Sequence, residues 1–351
     1  MSPLSSPWNI SGLRIPNRIV MAPMSTNRLD PKGRVTPELI NFLARRASGG
    51  CGMILVESAT VDAGRGGTGL NLRLDRDEVD AGLRDLIRQL HSLGTVVAAQ
   101  LWHAGPRAHV EGDLPLSPSG TLPGFPVSRA LEIKEIEGIV RSFINAGYRA
   151  VNYGFDAVEV HAAHGYLLHH FIDKTTNRRR DAYGGSVAGR YRILKEICSG
   201  FKARHPGFPL LLRISLPGDD DFPAVAEVIR QAGYDAVDVR TGFSSMPATG
   251  TTGPVPAGYT LPLVRKLRPH LGLPILTGGR ILTPEQAEQA IAEAFVAGVV
   301  LGRPLLADPD WTRKAIGGQA VTPCFYDCQP SCYSKFKAGE KLHCVYYGRE
   351  G

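Results

Sequence analysis

Short runs of apolar, β-branched residues alternate with amphipathic stretches along the chain. The apolar runs predict strands over Ile19–Met24, Gly52–Ser58, Thr95–Trp102, Ala157–His161, Leu210–Ser215, Ala236–Arg240, Pro274–Thr277 and Val296–Gly302. The amphipathic stretches predict helices over Thr36–Ala47, Asp77–Leu93, Ile133–Asn152, Val187–Arg204, Ala224–Ala232, Leu261–Pro269 and Pro284–Ala294, and a short helix after Pro309. Apolar strands joined by helical crossovers indicate a parallel sheet that is buried on both faces.

Eight successive strand–helix units predict an α/β fold in the form of a (β/α)8 TIM barrel. The alternative, a doubly wound open sheet, would carry a glycine-rich turn after its first strand. The first strand instead runs into Pro23, Met24 and Ser25. We expect the barrel to occupy residues 1–317 and a cysteine-rich extension to occupy residues 318–351.

Composition narrows the class of protein. The chain has 351 residues, is 43% hydrophobic and carries a net charge of +7, but its basic residues are scattered, which argues against nucleic-acid binding. No apolar run reaches the roughly 20 residues that span a bilayer, and the N-terminus lacks the pattern of a secretory signal. We therefore expect a cytoplasmic protein, a homo-oligomer, that acts on a small molecule.

The barrel predicts that polar side chains at the carboxyl ends of the strands form the active site. Ser58, Gln100, Trp102 and Arg213 stand at or near such ends. Gln100 alone would more often be a solvated strand end than a ligand. Arg213 interrupts an apolar strand, and a buried guanidinium needs a polar or anionic partner because its desolvation is costly. That partner is either a structural carboxylate or a cofactor.

Glycines followed by arginine end the seventh and eighth strands, as Gly278-Gly279-Arg280 and Gly302-Arg303. In barrels these two loops frequently bind phosphate through backbone N–H groups. Arg303 would add a bidentate positive charge.

Two histidines and a tyrosine, His161, His164 and Tyr166, follow the fourth strand within six residues. One interpretation is a zinc site, with His103 as a third ligand but no evident acidic one. In the other, two neutral imidazoles hold a carbonyl-type oxygen, and the phenol gives a proton to a neighbouring carbon.

Four segments resemble the Old Yellow Enzyme family of FMN ene-reductases, and the resemblance extends over roughly residues 8–315. The segments are residues 17–24, residues 100–105, residues 161–186 with Asn177, Arg179, Asp181 and the run Tyr183-Gly184-Gly185-Ser186, and Gly302-Arg303. The resemblance implies non-covalent FMN across the carboxyl end of the barrel.

The resemblance also implies a role for each matched residue. Pro23, Met24, Ser25 and Ser58 would edge the flavin, Gln100 would bond its pyrimidine end, Arg213 would face N1 and the C2 oxygen, and Gly278, Gly279, Gly302 and Arg303 would hold the phosphate. NAD(P)H would give hydride to the flavin, which would pass it to an activated alkene. His161 and His164 would hold the alkene's electron-withdrawing oxygen, and Tyr166 would protonate its α-carbon. Trp102 would shape the pocket wall, although core packing explains it nearly as well. Ser25 departs from the Cys or Thr of many relatives.

Four cysteines, Cys324, Cys328, Cys332 and Cys344, crowd the end of the chain with spacings of three, three and eleven residues. This segment resembles the iron–sulfur segment of dienoyl-CoA reductase and trimethylamine dehydrogenase, in which the first gap is usually two. The thiols could hold a [4Fe–4S] cluster, zinc or no metal.

Two further functions stay open at this point. With a cluster, the enzyme would be an FMN dehydrogenase or reductase for an amine, alcohol or enoyl-CoA, with an electron-transfer protein as partner. A phosphate-binding isomerase or aldolase is another possibility, although no lysine matches a Schiff base. The substrate would depend on the loops Asp113–Phe125 and Phe243–Ala257.

Overall fold

The computed structural model describes residues 2–62, 64–68, 70–76, 81–216, 220–241, 256–294 and 296–347. Its strands are β1 (Trp8–Ile10), β2 (Leu13–Ile15), β3 (Ile19–Met21), β4 (Met53–Thr60), β5 (Leu72–Arg73), β6 (Val96–Trp102), β7 (Leu116–Ser117), β8 (Arg129–Ala130), β9 (Ala157–Ala162), β10 (Leu210–Leu216), β11 (Ala236–Thr241), β12 (Ile275–Thr277) and β13 (Gly298–Leu301). Parallel pairing runs in the order β3-β4-β6-β9-β10-β11-β12-β13 and returns to β3. This closed ring confirms the predicted (β/α)8 TIM barrel.

Helices cross between these strands and surround the ring. They are α1 (Pro37–Ser48), α2 (Ala81–Ser92), α3 (Ile133–Tyr153), α4 (Leu167–Ile172), α5 (Val187–Arg204), α6 (Phe222–Ala232), α7 (Leu261–Leu271), α8 (Pro284–Ala294), α9 (Arg303–Ala307), α10 (Trp311–Ile316) and α11 (Cys332–Lys337). Local sequence explains where they begin. The Thr36 hydroxyl accepts the Leu39 N–H before α1, with proline next in the chain, and Glu132 and Glu135 form a capping box on α3. Within the described residues, no helix is long and apolar enough to cross a membrane.

The interior of the barrel changes from apolar to polar or charged along several of its strands. Its lower half is a cluster that includes Val20, Leu55, Ala98, Leu211 and Ala236, and the antiparallel β1–β2 hairpin packs against this cluster through Trp8 and Ile10. Side chains alternate between the two faces of a strand. Residues two and four positions after these apolar residues therefore also point into the barrel. These positions bring polar side chains to the carboxyl ends of the strands, which form the barrel mouth.

The predicted elements match the structure except at their ends. The strand predicted over Ile19–Met24 stops at Met21, and the first residues of the helix predicted over Asp77–Leu93 lie outside the described residues. The loop Asp113–Phe125 contains β7, which pairs with β8. Residues 243–255 of the second candidate substrate loop also lie outside the described residues.

Candidate functional site

His161, His164 and Tyr166 surround one point at the barrel mouth. The ring of His161, on β9, lies with its centroid 5.2 Å from those of both His164 and Tyr166. His164 and Gly165 have φ angles of 60° and 73°, in the left-handed region, and the His164 N–H donates to the Ser215 hydroxyl at 3.2 Å. This tight turn folds the three side chains together, as the sequence predicted.

The mouth keeps these three groups uncharged. Burial and the nearby Arg213 guanidinium hold the pKa of His161 and of His164 well below its usual range. Burial also raises the pKa of the Tyr166 phenol above its ordinary value near 10. At neutral pH the site therefore offers two neutral imidazoles and a protonated phenol.

Trp102 packs against Tyr166 edge to face, with ring centroids 4.6 Å apart. It is 3% exposed, and its indole nitrogen has no hydrogen-bond partner. Arg107 lies 5.9 Å from the Tyr166 ring and 5.0 Å from that of Phe125 in the loop Asp113–Phe125. The predicted wall residue and one candidate substrate loop therefore lie beside the predicted proton donor.

The segment that follows Tyr166 ties this loop to the barrel. Asn177 donates to the carbonyls of Phe171 and Tyr183, at 2.6 and 2.7 Å. Arg179 donates to the carbonyls of Pro118 and Leu131, both at 2.7 Å. The matched residues of this segment therefore hold backbone in place beside the mouth rather than pointing into it.

A hydrogen-bonded chain links Gln100, the predicted pyrimidine-binding residue, to Ser58 and Glu159. The Ser58 hydroxyl donates to Gln100 Oε1 at 2.6 Å, and Gln100 Nε2 donates to Glu159 Oε1 at 2.6 Å. Glu159 is fully buried, and burial raises its pKa to about 7. Gln100 is thus not a solvated strand end but part of an internal polar network.

Four charged residues, Glu159, Arg213, Asp238 and Arg240, form what we call the charged layer beneath the histidines. Arg213 Nη1 lies 3.9 Å from Glu159 Oε1, Arg213 Nε lies 3.3 Å from Asp238 Oδ2, and Arg240 Nη2 lies 2.9 Å from the same Asp238 oxygen. The sequence left open whether the partner of Arg213 is a structural carboxylate or a cofactor. The structure shows that two carboxylates, Glu159 and Asp238, lie beside it. Sequence reasoning missed Asp238 and Arg240, although both interrupt an apolar strand as Arg213 does.

The glycines of the last two strands leave room where side chains would not fit. A Cβ on Gly278 would lie 2.5 Å from Arg240 Nη1 and closer still to the Val300 carbonyl oxygen. A Cβ on Gly302 would lie 3.1 Å from Met24 Sδ. Met24, with its half-buried neighbours Pro23 and Ser25, therefore adjoins the eighth-strand loop, and the predicted phosphate loops meet the first-strand loop at one side of the mouth.

A tyrosine of the C-terminal extension covers this side. The guanidinium carbon of Arg303 lies 3.4 Å from the centre of the Tyr326 ring, and that of Arg280 lies 4.6 Å from it. Arg280 also pairs with Asp327 at 2.9 Å. Further down, hydrogen bonds hold the extension to the first-strand loop. The Thr26 carbonyl accepts the Leu342 N–H, Asn27 donates to the carbonyls of Phe336 and Glu340, and Arg28 donates to that of Leu342.

The mouth fits the predicted FMN on two observations. Buried polar atoms of the charged layer lack hydrogen-bond partners: Arg213 Nε, Arg240 Nε, Glu159 Oε2 and Asp238 Oδ1. Gly278, Gly279 and Gly302 let the last two strand loops pack closely against Arg240, Thr260 and Met24, and Gly279 has φ 119°, so their backbone lies beside the charged layer. Guanidinium N–H groups that lack an acceptor, beside glycine-rich loops, are what an anionic, phosphorylated cofactor would require.

The predicted metal ligands do not group in this way. His103 is buried, its Nδ1 accepts the Gly105 N–H at 3.0 Å, and burial lowers its pKa to about 4, so it serves the local turn. Burial raises the pKa of Cys324 and of Cys332, and the other thiols of the segment raise it further, so the four cysteines lie within electrostatic reach of one another. Among the described residues, however, no three His, Cys, Asp or Glu side chains are arranged as metal ligands. The structure therefore supports neither zinc at the histidines nor a cluster at the cysteines.

Comparison with known proteins decides the class. The family model of the NADH:flavin oxidoreductase / NADH oxidase family matches residues 3–320. The chain belongs to this family. Membership confirms the predicted class, an FMN-dependent NAD(P)H oxidoreductase, and counts against a phosphate-binding isomerase or aldolase.

Individual relatives agree in fold and differ in length. NADH oxidase of Thermoanaerobacter brockii is 37% identical over 99% of this chain, which spans only 56% of that protein. NADPH dehydrogenase of Halalkalibacterium halodurans is 32% identical over 92% of this chain and 98% of its own length. The old yellow enzyme homologue from Zymomonas mobilis superposes with a TM-score of 0.80 at 26% identity, covering 92% of this chain and 95% of the other.

Proposed function

We propose that this protein uses NAD(P)H to reduce the activated C=C bond of an α,β-unsaturated carbonyl or a related compound. The observation that carries the proposal is the cluster of two neutral imidazoles and a protonated phenol around one point of the mouth. FMN, when bound, would accept hydride from NAD(P)H and supply it to the alkene. The residues of the chain would bind the oxygen of the substrate and deliver the proton.

His161 and His164 are suited to binding a carbonyl oxygen. Each neutral imidazole has one N–H to donate, and the Nδ1 of His161 has no hydrogen-bond partner. Their low pKa keeps them neutral at physiological pH, so they act as hydrogen-bond donors rather than as general acids. Such donors stabilise the negative charge that grows on the oxygen as hydride reaches the β-carbon.

Tyr166 is suited to protonating the α-carbon. Its raised pKa keeps the proton on the phenol to alkaline pH, and packing against Trp102 and His161 fixes the plane of the ring. The oxygen and the α-carbon of an enone are separated by one bonded carbon, so adjacent donors can serve both. FMN would be held by the residues that the sequence predicts for it, which are Pro23, Met24, Ser25, Ser58, Gln100, Arg213, Gly278, Gly279, Gly302 and Arg303. Because NAD(P)H and alkene would use the same place in turn, we expect ping-pong kinetics.

Replacing Tyr166 with phenylalanine tests the assignment. We expect anaerobic bleaching of the bound flavin by NAD(P)H to stay within about threefold of wild type, while reoxidation by an enone slows roughly 10²–10⁴-fold, the usual contribution of a positioned acid. Tyr148→Phe is the matched control, since it removes a phenol that bonds the Gly200 carbonyl on the outer helices. Enone reduction at the wild-type rate in Tyr166→Phe would refute Tyr166 as the donor.

An FMN enzyme with an iron–sulfur cluster and a protein electron partner is the second hypothesis. The spacing of the four C-terminal cysteines supports it, because that segment resembles the iron–sulfur segment of dienoyl-CoA reductase and trimethylamine dehydrogenase. Iron, sulfide and zinc analysis of the purified protein tests it. A metal-free protein would limit Cys324, Cys328, Cys332 and Cys344 to packing. The homo-oligomeric state and the cytoplasmic location remain predictions.

A further inference from the structure

Arg240 is an inward-pointing guanidinium at the barrel mouth that the proposed mechanism does not use. It follows Ala236 and Asp238 at intervals of two on β11, and Ala236 belongs to the barrel interior. The strand register places Arg240 beside Ser215, and its residue exposure is 8%. Arg240 thus lies between Arg213 and the Gly278 loop.

Its surroundings leave this charge incompletely satisfied. Nη2 donates to Asp238 Oδ2 at 2.9 Å, but that carboxylate also faces Arg213. The Nε of Arg240 is buried without a hydrogen-bond partner, and Nη1 faces Gly278, where a Cβ would lie 2.5 Å away. Asp238, with the Glu159 oxygen 3.9 Å from Arg213, cannot satisfy two buried guanidiniums with five N–H donors each. The buried Nε of Arg240 therefore requires a further acceptor at the barrel mouth.

We propose that Arg240 is a second flavin-binding guanidinium, which donates to oxygen atoms on the pyrimidine–ribityl side of FMN. The inference rests on the proposed FMN site, in which Arg213 faces N1 and Gly278 lies near the phosphate. The C2 oxygen and the ribityl hydroxyls are the acceptors that lie between those two parts of FMN. Two cations on this side stabilise the negative charge that reduction adds there, so they favour reduced over oxidised flavin.

The competing interpretation is structural: Arg240 only neutralises Asp238. The variant Arg240→Gln and the double variant Asp238→Asn/Arg240→Gln separate the two. The double variant removes the Asp238 carboxylate together with its Arg240 partner, and Arg213 keeps Glu159, so we expect the melting temperature of the apo-protein to return towards the wild-type value. The dissociation constant of FMN, measured by quenching of flavin fluorescence, should stay raised about tenfold to a hundredfold in both variants.

The reduction potential of bound FMN is the second measurement, and it should fall in both variants because reduced flavin loses more stabilisation than oxidised flavin. Arg265→Gln is the matched control. It removes a surface guanidinium 3.1 Å from Glu293 and should change neither quantity. A double variant with the wild-type dissociation constant and potential would overturn the proposal. If the charge-removing variants do not fold, Arg240→Lys replaces them, and an unchanged dissociation constant there would also overturn it.

These measurements do not depend on turnover. A wild-type protein that binds no FMN would refute the proposed function as well. A wild-type protein that binds FMN and reduces enones, with Arg240 variants that bind FMN equally well, would refute only the role of Arg240.

Discussion

Replacing Gly278 with alanine should disrupt the loop after β12, because the new methyl group has no free volume. Its Cβ would lie 2.5 Å from Arg240 Nη1, whereas ordinary contacts begin near 3.4 Å, and the Val300 carbonyl oxygen is nearer still. That oxygen belongs to the backbone of β13, which cannot swing aside like a side chain. Either β13 or the loop must move by roughly an ångström.

Overpacking of this kind typically costs about 1–3 kcal/mol. With an unfolding entropy of roughly 2.1 cal/mol/K per residue, 351 residues give about 0.7 kcal/mol/K. A cost of about 2–3 kcal/mol therefore predicts a melting temperature lower by about 3–4 °C. FMN affinity should fall as well, because the displaced loop is the predicted phosphate site.

Two other glycines make the test quantitative. Gly302→Ala meets Met24 Sδ at 3.1 Å, a flexible partner, so its effect should be smaller. Gly207→Ala has no neighbouring atom within 4 Å and should be neutral or slightly stabilising. Differential scanning calorimetry of the apo-proteins and flavin titrations measure both effects. Equal melting temperatures and FMN affinities for the Gly278 and Gly207 variants would refute the steric reasoning.

Two further predictions concern the edges of the site. Burial raises the pKa of Glu57 from 4.5 to about 7, so the folded state retains a proton that the unfolded state loses, and stability should fall by roughly 3 kcal/mol as pH rises through that range. Glu57→Gln should remove this slope and raise the melting temperature at pH 8, whereas a Glu293→Gln control keeps it; a Glu57→Gln profile that matches wild type would contradict the argument. Tyr326→Leu removes the ring beside Arg303 and Arg280, a contact worth about 0.5–2 kcal/mol, and should raise the dissociation constant of FMN roughly threefold to thirtyfold. Tyr347→Leu, at an exposed position of the same segment, should not, and equal effects of the two would rule out a specific role for Tyr326.

The sequence alone predicted the architecture, which the structure confirms, because the architecture depends on periodic patterns. Alternating apolar runs and amphipathic stretches specify a barrel, and a barrel specifies that chemistry lies at the carboxyl ends of its strands. His161, His164 and Tyr166 could be grouped because they are close in sequence. The carboxyl end of β3 was harder to predict, since local propensity is weak where a strand meets a loop.

Only the tertiary structure decided which charges face one another. Glu159, Arg213 and Asp238 lie on three different strands, and their pairing depends on the register of a closed sheet, which no local pattern reveals. The contact of Tyr326 with Arg303 likewise joins the C-terminal extension to the loop after the last barrel strand. Long-range electrostatics and packing arise from closure of the barrel. The sequence therefore determined the barrel and proposed a site at its mouth, and the fold determined which charges surround the proposed residues.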